Sequence, residues 1–323
     1  MEKINHKGTE TQRITKEIID HGLGRAKTMI NKILCASLCL CVLVVSLFTF
    51  GCATSTAPEP GLLKDAVDLN DAGYHYYRQG KWDQAEQKFT QALTMNRLID
   101  RREGIAANLN NLGVLALDRG YLKQAGQCFE EALMILRGLG DPAGLSETLN
   151  NLGVLYQARG RLEDAEKTFQ EAFVYARQAP PGPLPALTLT HLGDVARARK
   201  DYVLALDFYN QALELDKARK DRQALAVRRE RLGRTYLALQ QYSTAGAYLL
   251  EALGEFRSLE DTNGIVDCLD SLTRLSLALG DKDAARDYGD RLMKIYQARE
   301  QEKEAEKLGK LLGIEKGNEA EKR

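Results

Sequence analysis

The stretch from Leu149 to Phe173 reads LNNLGVLYQARGRLEDAEKTFQEAF, and its spacing of small and apolar residues recurs along most of the chain. Gly153 is followed twelve residues later by Ala165, then four residues later by Phe169, then three residues later by Ala172. The glycine position recurs every 40 residues, at Gly73, Gly113, Gly153, Gly193 and Gly233, with Thr273 in the sixth place. This register predicts a stack of six similar units.

Each unit has the features of two α-helices packed against each other. Leu109 and Leu112 precede Gly113 at a spacing that places apolar groups on one face of a helix. Because glycine has no side chain and Ala125 has a single methyl, two helix backbones can approach closely, while Phe129 fills the space beside them. Glycines between the two helices predict turns, at Gly80, Gly120 and Gly160. With 44% hydrophobic residues, seven prolines and no alternating strand pattern, the chain is predicted to be all-α.

The pattern resembles the tetratricopeptide repeat, in which Leu, Gly, Tyr, Ala, Phe and Ala recur in this order. The common repeat has about 34 residues, and a period of 40 resembles the longer repeats of kinesin light chain. The resemblance covers residues 65–300 and implies a right-handed α-solenoid of about six helix pairs. The sixth copy departs from the pattern at Thr273, Gly289 and Leu292, as the exposed end of a solenoid often does.

The C-terminal region is predicted to close this stack with a capping helix over residues 301–313. An apolar stripe runs through it, formed by Ala305, Leu308, Leu311 and Leu312. A cap is expected because a terminal repeat otherwise leaves a hydrophobic face uncovered. Residues 314–323 are predicted to be a polar tail.

Residues 29–52 resemble a bacterial lipoprotein signal. An uncharged run, Ile33–Phe50, follows basic residues and is itself followed at once by Gly51 and Cys52. In such signals the cysteine is acylated and becomes the mature N-terminus, so Cys52 is the predicted lipidation site and residues 53–64 are a tether. Two residues just before the cysteine depart from the usual signal pattern, and the alternative is an uncleaved transmembrane anchor.

The first 28 residues are polar and mixed in charge, and they are long for a segment that precedes a leader. Met29 opens a short basic head, so we expect translation to begin there; the alternative is a cytoplasmic extension over residues 1–28. The lipoprotein resemblance implies attachment to the bacterial cell envelope. The absence of Asp two positions beyond Cys52 resembles outer-membrane lipoproteins that face the periplasm.

Charge and histidine content argue against nucleic-acid binding and catalysis. The 45 Lys and Arg balance 45 Asp and Glu, and residues beyond 52 carry a net charge of about −3, so no overall field attracts nucleic acid. His75 and His191 lie three repeats apart, which is too far to share a metal or to form a nucleophile–base pair. Cys128 and Cys268 are likewise too distant for a disulfide. We expect no enzymatic activity, no cofactor and no metal.

In the tetratricopeptide family the first helices of the repeats line a concave groove. Just before the repeat glycines, asparagine recurs in the first three repeats, at Asn70, Asn110, Asn111, Asn150 and Asn151. A row of amides can pair with the main chain of an extended peptide, because each amide both donates and accepts. In kinesin-light-chain-like repeats the LNNL asparagines hold cargo peptides, and the resemblance carries this role onto the last four of these residues. The alternative is that asparagine fills a solvated polar position.

The two ends of the same face differ in chemistry. Aromatic residues come first, at Tyr74 and Tyr77, and ionic residues later, at His191, Arg197, Arg231, Arg234 and Arg274. Arginine binds carboxylates with two parallel hydrogen bonds, which favours a partner with acidic side chains or a chain terminus. Alternatively, Asp194 and Glu230 neutralise these arginines internally.

The sequence as a whole predicts a lipid-anchored scaffold that binds extended segments of envelope proteins in its groove. Pilus assembly, secretion and recruitment of cell-wall enzymes all use such lipoproteins. Two other classes stay open: a carrier or sensor that binds a small molecule in the groove, and an accessory subunit of an envelope enzyme, secretion or pilus complex.

Overall fold

A computed structural model describes residues 60–313, which form thirteen α-helices and no β-strand. In chain order the helices are α1 (Pro60–Arg78), α2 (Trp82–Leu98), α3 (Arg102–Asp118), α4 (Leu122–Leu139), α5 (Pro142–Ala158), α6 (Leu162–Gln178), α7 (Leu184–Ala198), α8 (Tyr202–Arg219), α9 (Arg222–Ala238), α10 (Tyr242–Ser258), α11 (Thr262–Leu279), α12 (Lys282–Ala298) and α13 (Glu302–Leu311). Six helix pairs followed by a single short helix confirm the predicted all-α solenoid. The polar extension, the signal with Cys52, residues 53–59 and the C-terminal tail lie outside the described residues. None of the thirteen helices is long and apolar enough to cross a membrane.

The turns between helices depend on residues in the left-handed conformation. Gly80, Gly120 and Gly160 have φ values of 70°, 79° and 72°, which confirms the predicted turns. Lys200 and Gln240 take the same conformation at the equivalent positions, with φ values of 63° and 60°. Glycine adopts this region at least cost because it has no Cβ, so the two later turns carry some backbone strain.

Several helix starts are fixed by local capping. The side-chain oxygen of Asp141 accepts hydrogen bonds from two backbone N–H groups at 3.0 and 3.1 Å, and Asp261 does the same for its helix. The first helix begins at Pro60, because proline is well accommodated in the first turn of a helix. Residues 60–64, expected in the tether, therefore belong to α1.

The predicted packing register places one large side chain against each repeat glycine. A side chain added at Gly113 would overlap the ring of Phe129, which is completely buried together with Ala125 and Ala132. The same arrangement recurs between Gly73 and Phe89, Gly153 and Phe169, Gly193 and Tyr209, and Gly233 and Leu249. The close approach of the two helices in each pair therefore depends on the missing side chain.

The sixth repeat departs from this arrangement because it meets the capping helix. Gly289 stands where the other repeats have an aromatic residue or leucine, and the side chain of Leu312 occupies the space beside it. Leu308 of α13 is also buried. The irregular sequence of the last repeat thus makes room for the segment that covers the end of the stack.

The inner face of the stack is formed by the first helices of the repeats. First helices of neighbouring repeats contact each other in four pairs: α1 with α3, α3 with α5, α5 with α7, and α9 with α11. Among the described residues, second helices of neighbouring repeats make no comparable contacts. The first helices of neighbouring repeats are therefore closer together than the second helices, and the groove along the first helices faces inward.

Both cysteines of the described residues are free thiols. Cys128 is half-buried in α4, and Cys268 is fully buried in α11. Burial raises the pKa of both thiols, and nearby carboxylates add to the effect. Both are therefore expected to be protonated and unreactive at neutral pH.

Candidate peptide-binding groove

A cavity of about 190 Å³ opens in the groove where the first three repeats meet. It is lined by Tyr74, Tyr77, Phe89, Asn110, Asn111, Val114, Glu147 and Asn151. The structure thus brings together five of the residues that the sequence assigned to the groove. We call this feature the tyrosine cavity.

The asparagines form a ladder between neighbouring first helices. Asn111 Nδ2 donates to Asn70 Oδ1 at 2.9 Å, and Asn151 Nδ2 donates to Asn110 Oδ1 at the same distance. Each bond joins residues 41 positions apart. Asn108, which the sequence pattern did not single out, also donates to Asn70 Oδ1 at 2.9 Å. The amides therefore hold successive repeats in register.

The expectation that all of these amides are accessible in the groove is wrong, because most of them are buried. Asn110, Asn111 and Asn150 are only 5%, 7% and 2% exposed, because the adjacent first helix covers them. Asn150 Nδ2 donates to the Thr188 hydroxyl at 2.9 Å, again across a repeat boundary. Asn151 is half-buried and lines the cavity. A peptide-binding role for the buried amides stays a prediction, whereas their contribution to packing is observed.

Two tyrosines form one wall of the cavity. Tyr74 is 43% exposed, donates its hydroxyl hydrogen to Asn111 Oδ1 at 2.7 Å and packs edge-on against Phe89. The Tyr77 hydroxyl donates to Asp118 Oδ2 at 2.5 Å. Burial, together with nearby carboxylates, raises the pKa of both tyrosines, so both are neutral hydrogen-bond donors at neutral pH.

Glu147 carries the charge of this cavity. Its carboxylate accepts a hydrogen bond from Asn110 Nδ2 at 3.3 Å, and no Lys or Arg among the described residues pairs with it. The side chain of Glu147 is exposed to the groove. Partial desolvation by the neighbouring helices raises the pKa of Glu147, and the charge of Asp141 raises it further.

The arginines of the later repeats are paired within the protein. Arg231 lies 3.1 Å from Asp194 and 2.8 Å from Glu230, which also contacts Arg234 at 3.3 Å. Arg197 approaches Asp194 at 3.9 Å, and Arg274 contacts Asp270 at 2.8 Å. The structure therefore favours the alternative of internal neutralisation over a row of arginines free to bind an acidic partner.

His191 lies in the same part of the groove and is remote from His75. Its ring stacks on Phe169 with 4.9 Å between the ring centroids. Burial lowers the pKa of His191 to about 4, and the positive charges of Arg228 and Arg231 act in the same direction against the pull of Asp194. The imidazole is therefore neutral at pH 7.

A buried ion pair near this region could not be read from the repeat pattern. Arg228 Nε lies 3.1 Å from Asp216 Oδ2, and both side chains are almost completely inaccessible. Arg219 approaches the other carboxylate oxygen at 3.5 Å. The pair joins α8 to α9 across a repeat boundary.

In residues 60–313 no group of three His, Cys, Asp or Glu residues is arranged to hold a metal ion.

Residues 66–138 and 144–218 match the family model of the tetratricopeptide repeat, so these residues form tetratricopeptide repeats. No curated protein matches the chain significantly. Among solved structures, PilF of Pseudomonas aeruginosa shares 22% identity over 76% of this chain and 99% of that chain, with a TM-score of 0.52. PilW, described as a widely conserved type IV pilus biogenesis factor, shares 19% over 72% of this chain and 94% of that chain, with a TM-score of 0.54. A signal-transduction ATPase of Pyrococcus horikoshii with a tetratricopeptide repeat sensor shares 16% over 72% of this chain and 36% of that chain, with a TM-score of 0.60. These similarities establish the fold.

Proposed function

We propose that this chain, which carries tetratricopeptide repeats in residues 66–138 and 144–218, is a membrane-anchored scaffold that holds an extended segment of a protein partner in its groove. The observation that carries the proposal is the tyrosine cavity, which opens on the inner face and presents a 43% exposed tyrosine beside polar groups. An exposed aromatic group next to hydrogen-bonding side chains is typical of a surface that anchors a protein segment.

The tyrosine cavity itself is too small to enclose a drug-sized ligand. Pockets that enclose drug-sized ligands usually have volumes of about 300–1,000 Å³, whereas this one has about 190 Å³ and is open to the groove. One side chain of a bound segment fits such a space. The rest of the segment would extend along the first helices.

The envelope location rests on the sequence. The lipoprotein-type signal supports acylation of Cys52, which would attach the solenoid to a membrane facing the periplasm. Two proteins of similar fold, PilF and PilW, support an envelope setting, since PilW is described as a pilus biogenesis factor. We propose that the partner is a protein of the bacterial envelope.

Site-specific photo-crosslinking tests the groove as the binding surface. A photoreactive amino acid replaces Val114, which lines the tyrosine cavity, or Val174, which is 56% exposed on the second helix α6. After irradiation in the native host, position 114 is expected to crosslink to one defined segment of a partner, and position 174 is expected to give none. Crosslinks from position 174 alone, or from neither position, would exclude the groove as the site.

A further inference from the structure

We propose that the tyrosine cavity takes the side chain of a lysine or arginine of the bound segment, with Glu147 as its counter-ion. This inference rests on the proposed function and specifies the chemistry of the partner. The proposed partner side chain is basic, whereas the arginines of the later repeats predict an acidic partner.

The distribution of paired and unpaired charges along the groove supports a basic occupant. In the later repeats Arg231 and Arg234 each contact a carboxylate of the chain. Asp267 occupies the position equivalent to Glu147 three repeats further on; burial raises its pKa, and the charges of those two arginines oppose the rise. Among residues 60–313, the Glu147 carboxylate is hydrogen-bonded only by the amide of Asn110 and has no Lys or Arg counter-ion. The groove therefore offers an exposed carboxylate that no Lys or Arg of the described residues neutralises.

The surroundings of Glu147 are also negative. The charge of Glu147 contributes to the raised pKa of Tyr74, and that of Asp118 to the raised pKa of Tyr77, in both cases after burial as the larger cause. Asp71 acts on Tyr74 in the same direction. A cation that enters here lowers the electrostatic cost of keeping these carboxylates close together.

The walls suit the long stem of a basic side chain. Tyr74 and Tyr77 present aromatic rings, whose faces attract a cation, and Val114 provides apolar surface for the methylene groups. The cavity of about 190 Å³ has room for one long side chain, with its charged end at Glu147 and its backbone in the groove near Asn151.

Binding of short peptides tests the proposal without knowledge of the partner. The probes are acetylated and amidated pentapeptides Ala-Ala-X-Ala-Ala, in which X is lysine, or norleucine as the uncharged chain of the same length. The side-chain amide signals of Asn110 and Asn151 in the isotope-labelled full chain report binding at the cavity. We expect the lysine peptide to bind about tenfold more tightly, since a hydrogen bond to a charged group contributes about 1.5–3 kcal/mol.

Two variants assign this preference to one carboxylate. Glu147→Gln keeps the shape and is expected to abolish the preference for lysine, while Glu130→Gln on the exposed face of α4 is expected to leave it unchanged. Equal binding of the two peptides to the wild-type chain, no binding of the lysine peptide, or a preference that survives in Glu147→Gln would each overturn the proposal. None of these outcomes affects the crosslinking test, so a failure of this inference is distinguishable from a failure of the proposed function.

Discussion

Asn111 shows how one side chain can connect two repeats and shape the groove at the same time. Its amide donates to Asn70 in the preceding repeat, and its carbonyl oxygen accepts the hydroxyl hydrogen of Tyr74. The tyrosine that lines the cavity is therefore held by the same residue that sets the spacing of the first helices. Removal of this buried amide is expected to affect folding as well as binding.

Equivalent buried positions in different repeats are occupied by different pairs of polar side chains. Asn96 donates to Asn108 at 2.7 Å between the first two repeats, and three repeats later the same positions hold the ion pair of Asp216 and Arg228 at 3.1 Å. Both pairs connect a second helix to the next first helix. A buried ion pair is costly to break because the remaining charge is left unpaired.

His191 predicts a specific pH dependence of stability. Its pKa is about 4 in the folded chain and about 6.5 when unfolded, so between these values the unfolded state binds more protons. Stability is therefore complete above pH 6.5 and falls as the pH drops towards 4. Because a bound proton changes the free energy of unfolding by up to about 1.4 kcal/mol per pH unit, His191→Gln should make the decline between pH 7 and 5 shallower by up to that amount.

Urea unfolding at several pH values measures this effect. His75→Gln is the matched control, because His75 is exposed on α1, and it should keep the slope of the wild-type chain. An unchanged slope in His191→Gln would show that folding does not lower the pKa of this imidazole.

At the scale of elements, the close helix pair α5 and α6 is sensitive to added volume. Ala165 is completely buried at the contact, whereas Lys167 on the same helix is exposed. Ala165→Leu should lower the free energy of unfolding by about 1–3 kcal/mol, because overpacking forces the helices apart. Lys167→Ala should change it little. Thermal unfolding measures both variants, and equal melting temperatures would contradict the packing register.

The sequence predicts contacts inside a repeat better than contacts between repeats. The Gly153, Ala165 and Phe169 register follows from helix periodicity, and the structure confirms it. The repeat pattern predicts that the asparagines lie in an open groove, because periodicity identifies a helix face but not the neighbouring helix that covers it. The pair Asp216 and Arg228 lies across a repeat boundary and interrupts the repeat pattern, so no recurring signal indicated it.

At the scale of the whole molecule, the two ends of the groove differ in what they offer a partner. The cavity near Tyr74 contains an unpaired carboxylate and exposed aromatic surface. The later repeats have a network in which Arg231 and Glu230 satisfy each other. Under the proposed function, a segment is anchored at the N-terminal repeats, which are also the repeats nearest the proposed lipid anchor along the chain.

Membrane attachment through Cys52 predicts a defined chemical product. Cys52→Ser should remove the acyl chains and leave the protein in the soluble fraction or as an unprocessed precursor. Mass spectrometry of the mature N-terminal peptide checks this, with Cys128→Ser as a control that should remain acylated at Cys52. A mature chain that begins elsewhere, or an unmodified Cys52, would favour the transmembrane anchor.

The central claim is tested most directly by measuring how much partner is recovered from native membranes with two variants of the chain. One variant alters the groove, and the other alters the outer face. The groove variant combines Val114→Arg and Asn151→Arg, which fill the tyrosine cavity, and the outer-face variant is Val174→Arg on α6. With circular dichroism and melting temperatures close to those of the wild type, the groove variant should recover at least about tenfold less partner, and the outer-face variant should recover the wild-type amount. Full recovery by the groove variant, whatever the outer-face variant recovers, would contradict the account.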